Sequence, residues 1–453
     1  MDRVLVIVII LIGVFRWASS RQANKSYLLV SVIVQTLPLA YGYTLVEFLS
    51  SDQSIGEFGN GIRLEVTSIF SIILILSGFT KLPRGAFTFR ENKMIYLLLF
   101  FFLIAIVNPA NPFRTAVLVP FSFLVQMLFL LKLIDANFSR AAVLRGVFDG
   151  LFITMVMQFI LCMFYPVMGL TYFSTLFRGE SALKWAERRE GYTSAIGTFK
   201  HPSHMALFTL IAVTFFFSCY FNNYQKRRCL QAFAMAAVII FLSYSRTTYI
   251  VTMAVVAILF VVRRGRGIFT PRIILRSLLL FSSILFVLYF TPLSELFLKS
   301  DSEVQVENRM IHWALGYESW RNSPYFGIGV NAHVFYMSHV LNFDPFGGKK
   351  VLDFFLTNPI HNIHLIVLVE TGAIGLIVWI CFFFGSIGRY SKSIRISSYP
   401  LRIFNLMYVG ILISYFLYGF FGWAPFDASI FGTAIFLGHF ALDKKTYLRK
   451  AVP

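Results

Sequence analysis

The chain has 453 residues, of which 57% are hydrophobic and only 13% are charged. Soluble domains carry roughly 25% charged residues, so this composition excludes a soluble enzyme, a disordered chain and a disulfide-knit secreted module. A lipid bilayer must solvate much of the surface. The formal net charge of +19 is interpreted as a topology signal, and nucleic-acid binding is not implied.

Thirteen apolar segments are predicted to span a membrane, because each approaches the roughly 20 residues that a spanning helix needs. In chain order they are 3–16, 27–49, 63–80, 94–108, 114–132, 144–168, 203–221, 229–244, 246–262, 273–291, 360–384, 403–421 and 427–442. The first is interpreted as a retained span, since no clear small-residue cleavage site follows it. The sequence therefore predicts an all-α, polytopic transmembrane helix bundle of about 12–13 spans.

The basic residues predict the orientation of these spans. Most of the 40 Lys and Arg fall in seven short loops or tails, at 16–25, 81–93, 132–145, 226–228, 263–276, 389–402 and 444–450. All seven lie on one side of the thirteen-span arrangement, and the positive-inside rule makes that side cytoplasmic. The alternation requires a break between two spans at Ser243-Tyr244-Ser245-Arg246.

Two long polar segments divide the chain. We expect an N-terminal transmembrane bundle at 1–168, an extracytoplasmic loop at 169–202, central spans at 203–291, a large extracytoplasmic loop at 292–359, and C-terminal spans with a cytoplasmic tail at 360–453. Loops of this length are usually functional or disordered. Aromatic residues in the second loop predict a small core, with an amphipathic helix over 305–322. One face of that helix carries Met310, Trp313, Ala314, Tyr317 and Trp320.

Basic and histidine side chains mark the predicted outer face, where topology alone does not favour positive charge. They are Arg188, Arg189, Lys200, His201, His204, Arg246, Arg309, Arg321, His361 and His364. A pyrophosphate on a lipid is a natural partner for such a set, because the planar guanidinium pairs with phosphate oxygens through two hydrogen bonds. The four cysteines fall in or beside apolar runs, so we expect no structural disulfide and no metal cluster.

Individual candidates have structural alternatives. Arg246 interrupts a long apolar stretch; it either faces a wet cavity or snorkels from a tight turn. His361 is a candidate general base, and Asn362 and His361 could instead cap the following helix. His364 lies three residues further on, but two histidines without a third ligand do not predict a metal site. Glu370 would lie deep in a continuous span, as either a structural or a functional acid.

Four segments together resemble the bacterial O-antigen ligase and polysaccharide polymerase family of polytopic membrane glycosyltransferases. They are Gly197-Thr198-Phe199-Lys200-His201-Pro202-Ser203, then Ser243-Tyr244-Ser245-Arg246, then Arg309 with Trp313-Ala314 and Pro324-Tyr325-Phe326-Gly327-Ile328-Gly329, and finally His361-Asn362 with Glu370-Thr371-Gly372. No phosphate loop or nucleophile elbow competes with this interpretation.

The resemblance implies a donor glycan on undecaprenyl pyrophosphate, an acceptor sugar hydroxyl as nucleophile, and no metal or other cofactor. It implies that Arg246 and Arg309 hold the pyrophosphate and that His361 accepts the hydroxyl proton or positions the acceptor. Arg188, Arg189, Lys200, His201, Arg321, Asn362 and His364 are the accompanying substrate-binding candidates. The implied location is the bacterial inner membrane with an extracytoplasmic active site, alongside a flippase and a chain-length regulator.

Three functions remain open from the sequence. The first is a polymerase that joins lipid-linked repeat units of a capsule, exopolysaccharide or O-antigen. The second is a ligase that moves a finished glycan onto lipid A core. The third is a polysaccharide transporter or flippase, which would concentrate its functional charges at mid-membrane rather than at the outer surface.

Overall fold

The computed structural model describes residues 12–13, 15–16, 19–20, 22–37, 42–47, 61–79, 103, 118–168, 195–199, 201–243, 245–263, 302–341, 359–422 and 428–441. The predicted spans 3–16, 94–108 and 273–291 and the loop 169–202 lie wholly or mostly outside these residues. Twelve helices and two strands follow one another in the described part. They are α1 Gln22–Thr36, β1 Gly42–Glu47, β2 Gly61–Glu65, α2 Val66–Leu76, α3 Leu118–Asn137, α4 Arg140–Met168, α5 Pro202–Phe221, α6 Lys226–Leu242, α7 Arg246–Val262, α8 Ser302–Arg321, α9 His333–His339, α10 Ile363–Ile396, α11 Leu401–Tyr418 and α12 Ala428–His439.

The helices form the predicted polytopic bundle. Among the described residues, five helices are long and apolar enough to cross a membrane, namely α3, α4, α5, α10 and α11. The break predicted at Arg246 is present, since α6 ends at Leu242 and α7 begins at Arg246. The chain is therefore a multi-pass helical membrane protein.

One predicted span is wrong over its second half. Segment 27–49 was expected to be one helix, but α1 ends at Thr36 and residues 42–47 form β1, antiparallel to β2. Pro38 explains the end of the helix, because a proline disfavours helical backbone in the residue before it. In the hairpin, Gly42 pairs with Glu65 and Glu47 with Gly61, with an irregularity between Thr44 and Val46. The predicted span 63–80 likewise begins in β2 before continuing as α2.

The centre of the bundle is α5, which is buried along nearly its whole length. It packs against α4, α6, α7 and α11, and α11 in turn contacts α10 and α12. At the periphery, α1 packs closely on α4 beside Gly146 and Gly150. A Cβ at either glycine would come within 2.6 Å or 2.7 Å of a backbone oxygen of α1. Glycines four residues apart allow this close helix contact.

Basic residues of the described loops gather at one end of the bundle, here called the basic end. Arg140 pairs with Asp135 at 2.6 Å, and Arg228 pairs with Asp149 at 2.7 Å. A cavity brings together the last residue of α5 and two further arginines, at the end of α7 and the start of α11. This placement of basic residues at one end agrees with the predicted alternation of basic loops and loops poor in basic residues.

At the opposite end of the bundle, backbone hydrogen bonds link segments that are distant in sequence. The amide of Ala195 donates to Leu242 O at 2.9 Å, and the amide of Ile363 donates to Gly419 O at 2.7 Å. Because α5 and α7 finish at the basic end, their first residues, Pro202 and Arg246, lie at this opposite end. The start of α10 lies there too, beside the end of α11.

Helix α10 is broken at Gly372, whose backbone has φ 69° and ψ −174°. The two parts, 363–371 and 373–396, fold back toward each other. His364 and Trp379 are hydrogen-bonded at 3.2 Å, although 15 residues of straight helix would separate them by about 22 Å.

The segment Pro324–Gly329 supplies the hydrogen bonds that the break removes. A continuous helix would bond Val369 O to the amide of residue 373, and Glu370 O to that of residue 374. Instead, the amides of residues 328 and 329 donate to these two oxygens at 2.9 Å and 3.0 Å. The amides of residues 373 and 374 donate to the carbonyls of residues 324 and 325 at 2.8 Å and 3.3 Å. The segment is thus hydrogen-bonded to the α10 backbone on both sides of the break. This pairing matters because unpaired backbone groups are costly in apolar surroundings.

Replacing Gly372 by alanine is expected to destabilise this junction. The backbone conformation is one that essentially only glycine adopts, at a cost of roughly 1–3 kcal/mol for other residues, and a Cβ would collide with the Tyr325 carbonyl group. Thermal unfolding of the purified protein in detergent would measure the loss. Gly385→Ala is the matched control on the same helix, because a Cβ there meets no atom within 4 Å. Equal melting temperatures for the two variants would contradict the expectation.

The large loop contains the expected helix and core, but most of the predicted apolar face of the helix is exposed. Helix α8 buries Ile311, His312, Leu315 and Ser319, whereas Met310, Trp313, Ala314 and Tyr317 are exposed. Two of them, Ile311 and Leu315, belong to a second hydrophobic cluster, and Trp320 packs against it. The other members are Ile328, Val334, Tyr336, Met337, Ile360, Ile366 and Val369.

Candidate functional site

The candidate site lies at the opposite end of the bundle, where α8 meets the start of α10. The close approach occurs at Gly316, where a Cβ would lie 3.0 Å from Ile360 and from Leu365. One turn earlier in α8, the His312 ring centroid lies 5.4 Å from that of His361, with the ring planes tilted by 30°. Two residues more than 45 positions apart in sequence are thereby in contact.

Arg309 completes this cluster. Its positive charge is close enough to His361 to lower the pKa of the imidazole, and its guanidinium lies 5.9 Å from the centroid of the Phe421 ring, after α11. Arg309 lies three residues before His312, so both project from neighbouring positions of α8. The structure therefore brings together two of the three predicted catalytic residues, Arg309 and His361.

His361 is neutral at physiological pH. Burial lowers its pKa from 6.5 to about 4, the Arg309 charge adds to the lowering, and the hydrogen bond to Pro359 opposes it. Nδ1 of His361 lies 3.1 Å from the Pro359 carbonyl oxygen. Since a carbonyl oxygen can only accept, Nδ1 carries the proton and Nε2 carries the lone pair. An imidazole held in this tautomer can accept a proton at Nε2.

The residues that follow His361 hold the helix start in place. The Asn362 side chain accepts a hydrogen bond from the amide of Leu365 at 3.0 Å, so Asn362 is the N-cap of α10. His364 uses both ring nitrogens, bonding to Phe416 O at 3.0 Å and accepting from Trp379 Nε1 at 3.2 Å. Both residues thus have structural partners, and His364 clamps the folded-back parts of α10 to α11.

Two other candidates from the sequence, Arg321 and His201, have partners of their own. Arg321 is at the far end of α8 from Arg309, has 60% of its side chain exposed and pairs with Glu318 at 3.1 Å. His201 is the N-cap of α5, where Nδ1 bonds to the Ser203 hydroxyl and accepts from the Ser203 amide at 3.2 Å. His201 is at the same end of the bundle as His361.

The remaining candidates are described only in part. Arg246 begins α7 at the same end as His361, but its side chain lies outside the described part of the structure. Arg188, Arg189 and Lys200 also lie outside it.

Sequence reasoning did not select His312 or His333. His312 was detectable as a histidine three residues after Arg309 on a predicted helix. His333 begins α9, and its Nδ1 lies 2.7 Å from Oε1 of Glu370, with both side chains only 2% exposed. Glu370 therefore ties α9 to the break in α10 and is not an acid within a continuous span.

Residues 231–380 match the family model described as O-antigen ligase. About a third of the chain is therefore similar to the O-antigen ligase family. The resemblance inferred from the sequence is thereby confirmed, and the matched region contains Arg246, Arg309 and His361. The comparison with curated proteins gives no match. The O-antigen ligase match supports an enzyme of the glycan ligase or polymerase type, in agreement with the multi-pass fold.

Proposed function

We propose that the protein is a membrane glycosyltransferase that polymerises undecaprenyl-pyrophosphate-linked repeat units into a surface polysaccharide. The observation that supports this most directly is the placement of Arg309 beside His361 at the end of the bundle away from the basic loops. A permanent cation next to a neutral, tautomer-fixed imidazole suits a reaction in which a hydroxyl loses a proton while an anion departs. The proposal places this end at the extracytoplasmic surface of the inner membrane.

In the proposed reaction, the acceptor sugar hydroxyl attacks the anomeric carbon of the donor. The bond from that carbon to the pyrophosphate oxygen breaks, and the lipid pyrophosphate leaves with the bonding electrons. Nε2 of His361 accepts the hydroxyl proton, while Arg309 and Arg246 compensate the charge that develops on the leaving group. Charge compensation aimed at the leaving group favours the transition state more than the ground state.

The low pKa of His361 fits a site that awaits an anion. Burial and the Arg309 charge both favour the neutral imidazole. A bound pyrophosphate would bring negative charge close to Arg309 and raise the pKa of His361, because a nearby anion favours the protonated form. The donor would thereby make the imidazole a stronger base when the reaction needs one.

The matched family's name favours one second candidate. A ligase that transfers a finished glycan to lipid A core would use the same lipid-linked donor and the same cation and imidazole. The two functions differ only in the acceptor.

Analysis of lipid-linked glycans in a strain lacking the protein tests the proposal. A polymerase predicts accumulation of single lipid-linked repeat units and loss of long chains, since the joining step is missing. Long lipid-linked chains that fail to reach lipid A core would instead identify the ligase. Unchanged glycans, with plasmid-borne protein as the complementation control, would contradict both.

A further inference from the structure

His312 is a buried histidine that the proposed reaction does not use. Only 3% of it is exposed, and its ring centroid lies 5.4 Å from that of His361, with the ring planes tilted by 30°. This separation falls within the roughly 4.5–7 Å at which side-chain rings pack against each other. Because His312 belongs to α8 and His361 to the segment that leads into α10, the contact lets one element determine how a side chain of the other is held.

The packing of α8 fixes where the His312 ring lies. Leu315 is fully buried and belongs to the second hydrophobic cluster together with Ile360, the residue before His361. At Gly316, a Cβ would lie 3.0 Å from the side chain of Ile360. Residues four apart share a helix face, so the close approach at Gly316 brings His312 up to His361. The contact between the two rings is therefore part of a packed interface.

The imidazole of His361 is restrained from two directions. Its own segment supplies the hydrogen bond between Nδ1 and the Pro359 carbonyl oxygen, which are 3.1 Å apart. That bond determines which ring nitrogen carries the proton, but one bond still allows the ring to pivot about it. The ring of His312 packs against the imidazole from another element, and close packing limits the orientations of a buried side chain.

Arg309 links this restraint to the proposed leaving-group site. Arg309 and His312 are three residues apart, so they project from neighbouring positions of α8. One helix therefore places both the guanidinium that is proposed to meet the pyrophosphate and the ring that packs against the proposed base. Helices hold such groups more precisely than loops do, and transfer requires that the reacting atoms approach to about 3–3.5 Å in alignment.

We propose that His312 is a positioning residue for His361, whose imidazole it holds with Nε2 directed at the acceptor hydroxyl. This inference rests on the proposed transferase function and adds a residue to it. His312 exchanges no proton with the substrate and acts only through the orientation of His361. Without its ring, the imidazole can turn into the space that is left, and a displacement of about 1 Å can lower a rate by roughly 100-fold.

The test measures transfer by the purified protein from a lipid-linked repeat unit, with kcat and the KM for the donor determined separately. We expect His312→Ala to lower kcat by roughly 10–100-fold with little change in KM, because the arginines proposed to hold the pyrophosphate remain. His312→Phe should restore most of kcat, since it keeps a planar ring without the nitrogens. His312→Asn keeps a polar side chain without the ring and should resemble His312→Ala. Recovery by asparagine and not by phenylalanine would assign His312 a hydrogen-bonding role and overturn the proposal.

A double variant provides a readout that does not depend on whether phenylalanine fits the site. If His312 acts through His361, adding His312→Ala to His361→Ala should cause no further loss of transfer, because residues that act as a unit are not additive. A further loss would show that His312 acts on something other than His361 and would overturn the proposal. Normal transfer from His312→Ala alone would overturn it too. Normal transfer from His361→Ala would instead refute the role proposed for His361 itself.

Met337→Ala is the matched control for disturbing the core beneath the site. Met337 is fully buried in the second hydrophobic cluster but lies on α9. Its truncation should lower the melting temperature, as large-to-small core substitutions do, while kcat of the folded protein stays close to that of the wild type. A loss of kcat as large as that in His312→Ala would show that any cavity in this cluster impairs transfer, which would overturn a specific role for the His312 ring.

Discussion

Replacing His361 by alanine is expected to lower the rate of glycan transfer by roughly 10²–10⁴-fold, which is the contribution of a positioned general base. The physical reason is the loss of Nε2, the ring nitrogen that carries the lone pair when Nδ1 donates to Pro359 O. The measurement is polymer length in cells, together with transfer in membranes supplied with a lipid-linked repeat unit. Protein level and membrane insertion should be unchanged, because Asn362 still caps α10.

The pH dependence of the wild type provides a second readout for His361. With a pKa of about 4, the imidazole is neutral above that pH and becomes protonated only as the pH falls through it. The value of kcat/KM should therefore persist through pH 6.5 and decline near pH 4, since this parameter reports the free enzyme. In Arg309→Gln, loss of the neighbouring charge should raise the pKa of His361 and move the decline to higher pH. A wild-type decline centred near pH 6.5, or normal polymer in His361→Ala, would contradict the assigned role.

His439→Gln is a suitable control for the histidine substitution. His439 lies at the basic end, where Nε2 is 2.7 Å from Asp135, and Arg140 also pairs with that carboxylate. The aspartate therefore keeps a cationic partner when His439 is replaced. We expect normal transfer from this variant, so loss of activity there would point to a general effect of disturbing the bundle.

Five of the predicted spans correspond to described helices that are long and apolar enough to cross a membrane. They were predictable because hydrophobicity and length determine which helices fit a bilayer. The boundary at Arg246 was also predictable, since joining the two spans into one would have placed basic loops on both sides of the membrane. The hairpin at 42–65 was missed because apolar residues in a strand and in a helix have the same hydropathy. Pro38 was the available signal, and the run from Tyr43 to Glu47 is too short to reveal a period of two clearly.

The break in α10 could not be predicted because its cause lies elsewhere in the chain. In membrane helices, small residues such as Gly372 and Gly375 usually mark a close helix contact and not a break. The positive φ of Gly372 is stable only because Pro324–Gly329 bonds to both sides of the break. For the same reason, Glu370 lies against His333 and not along a continuous helix.

The candidate site was only partly accessible to sequence reasoning. Charge type and position near span ends selected Arg309 and His361, and the family resemblance gave them roles. Their proximity depends on how α8 packs against the start of α10, which the spacing of residues within either helix does not encode. The buried face of α8 shows this directly, since Ile311 and Leu315 lie in the core whereas Trp313 and Tyr317 are exposed.

Replacing Arg309 by alanine is expected to reduce transfer by roughly 10²–10³-fold, the usual effect of removing one preorganised group that stabilises developing charge. The guanidinium lies beside His361 and near the Phe421 ring, where it would meet the departing pyrophosphate. Because negative charge grows as the bond to the anomeric carbon breaks, kcat should fall more than the affinity for the donor. Arg309→Lys should give an intermediate rate, since lysine keeps the charge but not the two-pronged geometry.

Arg389→Ala is the control, because Arg389 is an exposed cation in the second part of α10, near the basic end; its transfer rate should be unchanged.

A double variant distinguishes two independent roles from one shared step. If Arg309 and His361 act on the same transition state, Arg309→Ala with His361→Ala should be little slower than His361→Ala alone, because residues that act as a unit are not additive. If the two losses in rate instead multiply, proton transfer and leaving-group stabilisation are independent contributions. Full-length polymer from Arg309→Ala would show that this guanidinium takes no part in the reaction.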